Sequence, residues 1–193
     1  MREHQDCYER TGERNRVYID IDGKAGENMS EEEFRKKDKA IEHILLSLDL
    51  GSPHSLMKAS KYNCIKGGNR MNILSYRITL MKKYGTKSSI KWYVGNKVNP
   101  KIKTALSGVI NYITDEKEKT KEQQDPLSTY VDYDTTVYDK GRKMRMWNST
   151  KDENNGKIDW VLNEYRPLIL CGDATVLDTL ITYIPYEIGR AHV

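Results

Sequence analysis

Hydrophobic and polar positions alternate most cleanly between Arg16 and Gly23, where Val17, Ile19 and Ile21 interleave with Tyr18, Asp20 and Asp22. A period of two predicts a strand. Residues two apart then share a face, so Asp20 and Asp22 project together. Gly23 follows at once and suits a turn. After a polar loop from Glu27 to Ser30 the period lengthens. Ser30 and Glu33 form a capping-box signature, and the helix they start is expected to run to about Leu50. Phe34, Ile41, Ile44, Leu45 and Leu48 mark its apolar face, with Glu31, Glu32, Arg35, Lys36 and Lys39 in water. Gly51 is placed as a stop, and Pro53 prevents continuation.

Strand periodicity then returns. Ser55 to Asn63 reads as a second strand, Gly67-Gly68-Asn69 as a hairpin-type turn, and Asn72 to Leu80 as a third strand. In the third, Leu74, Tyr76, Ile78 and Leu80 face the core, which sends Ser75 and Arg77 to the opposite face. Lys82 to Val98 mixes bases and aromatics. Lys91, Trp92 and Tyr93 there are candidates to grip phosphates and stack bases; the bland alternative is a solvated loop with Trp92 tucked beneath it. Pro100 starts a short helix through Leu106, Val109, Ile110 and Ile113. Asp115 to Gln124 alternates Glu and Lys and reads as a mobile linker. Val131 to Tyr138 is a predicted strand with Tyr130, Asp132 and Asp134 on one side. Lys140-Gly141 turns it into a hairpin with Lys143 to Trp147, Asn154-Asn155-Gly156 turns again, and a helix from about Ala174 to Tyr183 closes the domain.

Composition narrows the class. The chain has 193 residues, enough for one domain with a proper core. It is 37% hydrophobic and 31% charged, with mean hydropathy -0.77, yet its apolar residues fall in periodic blocks, as in a folded domain with charged loops. A net charge of +4 permits a nucleic-acid partner without demanding one. Three scattered cysteines, Cys7, Cys64 and Cys171, fit no disulfide framework. His4 and Cys7 lack a second ligand pair for zinc. No apolar run approaches the roughly 18 residues of a membrane span, and no signal-peptide core is present, so a soluble intracellular protein is expected. Residues 1–15 are charged and aperiodic and read as a disordered lead-in, with the domain over 16–186. Glu187 to Val193 matches the translation of a common sequencing-adapter oligonucleotide in one frame. The expectation is a read-through artefact, the natural chain continuing past Tyr186.

The chemistry lies in three segments. Two side-by-side carboxylates repel, and a hard cation such as Mg²⁺ or Mn²⁺ removes that penalty. A third acid arriving on another strand, here Asp132 or Asp134, is what a two-metal phosphoryl-transfer site needs. Ser75/Arg77, Arg145 and Lys151 then supply groups to hold a triphosphate.

In this order the segments resemble the archaeo-eukaryotic primase superfamily, and more narrowly the primase-polymerase domains of the large nucleocytoplasmic DNA viruses. Val17-Tyr18-Ile19-Asp20-Ile21-Asp22 is similar to the family's paired-acid strand. Leu74-Ser75-Tyr76-Arg77-Ile78 is similar to its Ser-x-His strand, with Arg in the His place. Asp134-Thr135-Thr136-Val137-Tyr138, followed by Arg142 to Lys151, is similar to its third motif. The resemblance spans Val17 to Lys151. It implies an α+β catalytic core with an antiparallel sheet of RNA-recognition-motif type flanked by helices. It implies metals held by Asp20, Asp22 and Asp134, with Asp132 as the alternative third ligand. Ser75, Arg77, Arg145 and Lys151 would contact the incoming NTP or dNTP, or guide a single-stranded DNA template. The implied reaction is templated nucleotidyl transfer to a 3′-hydroxyl. A helicase domain would follow in the full protein, which if viral would work in the host cytoplasm or nucleus. Guanidinium is always charged and bidentate, so Arg77 is assigned to phosphate binding and not to proton transfer.

Two other readings compete. A catalytically inactive single-stranded nucleic-acid-binding module would keep the sheet, and Arg77 leaves this open. A metal-dependent Asp-x-Asp glycosyltransferase would use Asp20 and Asp22 but leaves Asp134 to Lys151 unexplained.

Overall fold

Residues 8–66, 68–139, 142–149 and 168–184 are described by a computed structural model. Strands β1 (Tyr8–Arg10) and β2 (Asn15–Ala25) lead into helix α1 (Glu31–Ser47). Three strands follow: β3 (His54–Lys58), β4 (Lys61–Lys66) and the long β5 (Asn69–Gly85). Helix α2 (Lys87–Tyr93) runs through a π-helical turn, Val94–Val98, into α3 (Asn99–Leu106). Strand β6 (Asn111–Ile113), helix α4 (Glu116–Gln124) and strand β7 (Tyr130–Tyr133) come next, then a 3-10 turn at Thr135–Tyr138. Strands β8 (Lys143–Arg145) and β9 (Ile169–Cys171) and the one-turn helix α5 (Val176–Thr179) complete the described elements.

The fold is α+β, a mostly antiparallel sheet flanked by helices. The main sheet runs β6-β7-β2-β5-β3-β9, with β4 also on β5; among the described residues its one parallel pair is β6 with β7. A separate ribbon pairs β1 with β8. The spine is β2 against β5, with Ile19 opposite Ile78, Ile21 opposite Tyr76 and Gly23 opposite Leu74. Ile19, Ile21, Leu74, Tyr76 and Ile78 join Phe34, Ile41 and Leu45 of α1 and Ile102 and Leu106 of α3 in one buried cluster. Each fully buried aliphatic or aromatic side chain there contributes about 1.5–3 kcal/mol. The Tyr76 hydroxyl donates to Asp38 at 2.6 Å, which puts α1 on the apolar face. Asp20, Asp22, Ser75 and Arg77 therefore belong to the other face, where Asp20 is opposite Arg77 and Asp22 opposite Ser75.

Helix α1 has the expected capping box: the Ser30 hydroxyl accepts from the Glu33 amide, and the Ser30 amide donates to the Glu33 carboxylate at 2.9 Å. It ends at Ser47, before the expected Leu50. Other expectations are corrected. The lead-in predicted over 1–15 is ordered from Tyr8, because β8 offers β1 a pairing edge; residues 1–7 lie outside the described residues. The single strand over Ser55–Asn63 is two, since β5 is long enough to pair β3 and β4 end to end. Ile113 is in a strand, not a helix. The linker at 115–124 is α4, nucleated by Asp115, whose carboxylate accepts from the Lys117 amide at 2.7 Å. Lys143–Arg145 pairs with β1 and not with 131–138. The closing helix is one turn, Val176–Thr179. The turns at 140–141 and 154–156 and the segment 187–193 lie outside the described residues.

Gly23 does not turn the chain. It lies within β2, where a Cβ would sit 2.0 Å from the Tyr130 carbonyl oxygen and 2.7 Å from the Val131 Cα. The glycine lets β7 approach β2 closely, and that approach brings the third acidic segment to the first. Among the described residues no helix is long and apolar enough to cross a membrane.

Candidate active site

Strand β2 projects Asp20 and Asp22 from the polar face, and β5 adds Ser75 and Arg77 beside them. Strand β7 enters on the other flank with Asp132 directly opposite Asp22. Then β7 stops. The Asp134 carboxylate accepts from the Thr136 amide at 2.8 Å and its hydroxyl at 2.7 Å, which caps the 3-10 turn and takes Asp134 off the strand expected to run on to Tyr138. The Asp134 amide still donates to the Asp20 carbonyl at 2.8 Å. Behind the turn, the Tyr138 hydroxyl donates to the Tyr18 carbonyl at 2.7 Å, and the Tyr18 hydroxyl to the Val137 carbonyl at 3.0 Å. The turn is thus tied to β2 at both ends.

One carboxylate oxygen from each of Asp20, Asp22 and Asp134 lies within 4.8 Å of the others. These acids open into a cavity of about 760 Å³, lined also by Ser75, Arg77, Asp132 and Arg145. Burial lifts the Asp20 carboxyl above its ordinary value; Arg77 pulls it back down, Asp22 pushes it up, and Arg145 pulls more weakly downward. Arg77 is itself buried. Its Nε donates to Asp20 Oδ1 at 3.2 Å and its Nη1 to the Arg145 carbonyl at 2.5 Å, so one guanidinium links the acid strand to β8.

Asp132 has a different partner. Lys119 Nζ of α4 lies 2.6 Å from its Oδ2. Burial pushes the Asp132 carboxyl up to about 6 against the pull of Lys119, with Asp22 and Asp134 adding to the rise. Burial draws the Lys119 ammonium down, but Asp132 outweighs it and the net shift is upward.

No family model matches the sequence, and no curated protein is similar to it. Among solved structures the chain is similar to the polymerase domain from Mycobacterium tuberculosis Ligase D in complex with DNA. The identity is 12% and the TM-score 0.38, over 70% of this chain; the chain spans 39% of that one.

Of the candidate residues named from the sequence, Asp20, Asp22, Asp134, Asp132, Ser75, Arg77 and Arg145 all line the one cavity. Lys151 lies outside the described residues. Lys91, Trp92 and Tyr93 are elsewhere, on α2. There Trp92 is 60% exposed and not tucked beneath a loop. Trp92 and Tyr93 line a smaller groove of about 250 Å³ with Lys83 and Tyr84. Helix α2 is tethered to the far end of the 3-10 turn by Lys87, whose Nζ donates to the Asp139 carbonyl at 2.7 Å.

Sequence reasoning missed Lys119 and Gln123, which line the cavity from α4. The signal was present: Asp115 is a strong N-cap residue ahead of a run of good helix formers.

The donor set suits a hard divalent ion. Three carboxylates at this separation carry a mutual repulsion that a cation removes, and all three offer oxygen.

Proposed function

We propose that this chain is a divalent-metal-dependent nucleotidyl transferase of the primase-polymerase type, extending a strand on a single-stranded DNA template. The observation that carries the reading is the convergence of the Asp20, Asp22 and Asp134 carboxylates within 4.8 Å in a cavity that Arg77 and Arg145 also line. Asp20, Asp22 and Asp134 would hold Mg²⁺ or Mn²⁺. Bound there, the ions supply activation of the attacking hydroxyl and neutralisation of the departing pyrophosphate.

The rest falls to the chain itself. Arg77 and Arg145 offset the charge of the triphosphate as the bond from its α-phosphorus to the leaving oxygen breaks and the bond to the 3′-hydroxyl forms. Ser75, opposite Asp22, orients a phosphate oxygen beside the acids. Arg77 also opposes the upward push of burial on the Asp20 carboxyl. Lys91, Trp92 and Tyr93 receive the single strand, Trp92 as a stacking surface. NTP or dNTP is the substrate, and the resemblance adds a helicase partner in the full protein.

The Arg77–Asp20 ion pair favours one second reading, an inactive binding module in which that cation stands in for a metal. Primer extension and de novo synthesis on single-stranded DNA, with Mg²⁺ or Mn²⁺, separate the two. The expected result is product that needs metal and disappears in Asp20→Ala/Asp22→Ala and in Asp134→Ala. A folded wild type that binds single-stranded DNA and makes no product would establish the binding module instead.

A further inference from the structure

Asp132 is the carboxylate that topology alone would choose as the third ligand. It stands directly across from Asp22 on the adjoining strand, a position where Cβ atoms lie about 4.5–5.5 Å apart. Asp134 has left the strand. Yet Asp134, and not Asp132, completes the close trio with Asp20 and Asp22. Besides the cap that Asp134 makes to Thr136, the two acids differ by Lys119, which holds Asp132 at 2.6 Å.

Helix α4 adds no residue to the core. Its sequence, Glu116-Lys117-Glu118-Lys119-Thr120-Lys121-Glu122-Gln123-Gln124, contains no apolar residue, and none of it is buried. A helix polar all round gains nothing from the core. Polar attachments hold it instead: Lys119 on Asp132, Glu122 on Ser128, and Lys24, whose Nζ donates to the Gln123 carbonyl in the last turn at 3.4 Å and to the Asp125 carbonyl just past it at 2.9 Å. Of these attachments, that of Lys119 lands on an acid within the site.

We propose that Lys119 is a positioning residue: by engaging Asp132 it keeps that carboxylate out of the metal set and leaves the third ligand position to Asp134. The proposal rests on the metal-dependent reading above. Lys119 Nζ lies 2.6 Å from Asp132, closer than the 3.2 Å at which Arg77 Nε reaches Asp20, so Asp132 is the more tightly engaged of the two ion-paired acids. Without the lysine, four carboxylates would crowd one end of the cavity, and Asp132 would be as well placed for an ion as its neighbour.

Mn²⁺ binding, followed by electron paramagnetic resonance of the unbound ion, tests this independently of activity. Asp134→Asn is expected to weaken binding about 10-fold or more relative to wild type. In Lys119→Gln/Asp134→Asn most of that affinity returns, because Asp132 is released to serve. Adding Asp132→Asn removes the recovery, and Lys119→Arg/Asp134→Asn shows none, since arginine still engages Asp132. A role in merely anchoring α4 would not produce recovery. Lys119→Met serves in place of Gln should the glutamine variant unfold. If Asp20→Asn abolishes Mn²⁺ binding but the Lys119→Gln/Asp134→Asn protein binds no better than Asp134→Asn, the assignment of Lys119 is wrong and the metal site stands. The same holds if Asp134→Asn binds like wild type. If wild type binds no Mn²⁺, or Asp20→Asn binds as wild type does, the metal-dependent reading falls and takes the proposal with it.

Discussion

The floor of the cavity is β2 and β5, paired along all 11 residues of β2 and backed by Ile19, Ile21, Tyr76 and Ile78. Its rim is α4, which buries nothing, and β8, a three-residue strand joined to β1. Spacing among the floor acids is a property of backbone register, and disturbing it means disturbing the core. Rim cations are attached by polar contacts: Lys119 to Asp132, and β8 through the Arg77 bond to the Arg145 carbonyl. Such contacts are individually worth about 1 kcal/mol, or up to about 3 when charged. The floor should therefore hold its geometry whatever binds, while the rim can be retuned by single substitutions.

Breaking the floor chemically has the largest expected effect. Asp22 is exposed, so Asp22→Asn should leave stability within about 0.5 kcal/mol of wild type while lowering the primer-extension rate about 10³-fold. Urea denaturation alongside the extension assay checks both halves. Gly23→Ala breaks the floor mechanically. Its Cβ meets the backbone of Tyr130 and Val131, neither of which can yield without unpairing β7, and a loss of about 3 kcal/mol or more is expected in the same denaturation.

The boundary between floor and rim titrates. Asp132 has an ordinary value of 3.8 and is pushed up to about 6 in the folded chain. A carboxyl raised on folding contributes stability that is full below its unfolded value and lost as pH rises through its folded one. Asp20, also raised, acts in the same direction. Relative to Asp132→Asn, wild type should lose on the order of 2–3 kcal/mol between about pH 4 and pH 6, read from thermal unfolding across a pH series.

Two smaller effects sharpen the contrast. Trp92→Ala, at an exposed residue outside the acid cavity, should weaken single-stranded DNA binding about 10-fold through lost stacking, with the melting temperature unchanged. Fluorescence anisotropy with a labelled oligonucleotide reads it. Asp115→Ala removes the N-cap of α4 and should cost about 1 kcal/mol confined to that helix. Amide exchange would speed up over 116–124 and stay slow in β2.

The same contrast governs what could be read from the chain. Strand β2, the polar and apolar faces of β5, and α1 with its Ser30–Glu33 box follow directly from periodicity and capping, because a core imposes period on whatever packs against it. The rim has no such imprint. Helix α4 carries only charged and polar residues and reads as a linker; β1 and β8 are three residues each, too short to show alternation, and their pairing joins positions more than a hundred residues apart. Asp132 and Asp134 have equal standing on an extended strand. Only the cap that Asp134 makes to Thr136, and the lysine that holds Asp132, distinguish them.

Asp20, Asp22 and Asp134 are proposed to form a metal site serving a nucleoside triphosphate. Crystals soaked with Mn²⁺ and a non-hydrolysable nucleoside triphosphate, measured at the manganese absorption edge, address it directly. Anomalous density is expected between those three carboxylates, with the triphosphate reaching toward Arg77 and Arg145. Manganese bound elsewhere, or an empty acid cluster with Arg77 still seated on Asp20, would contradict it.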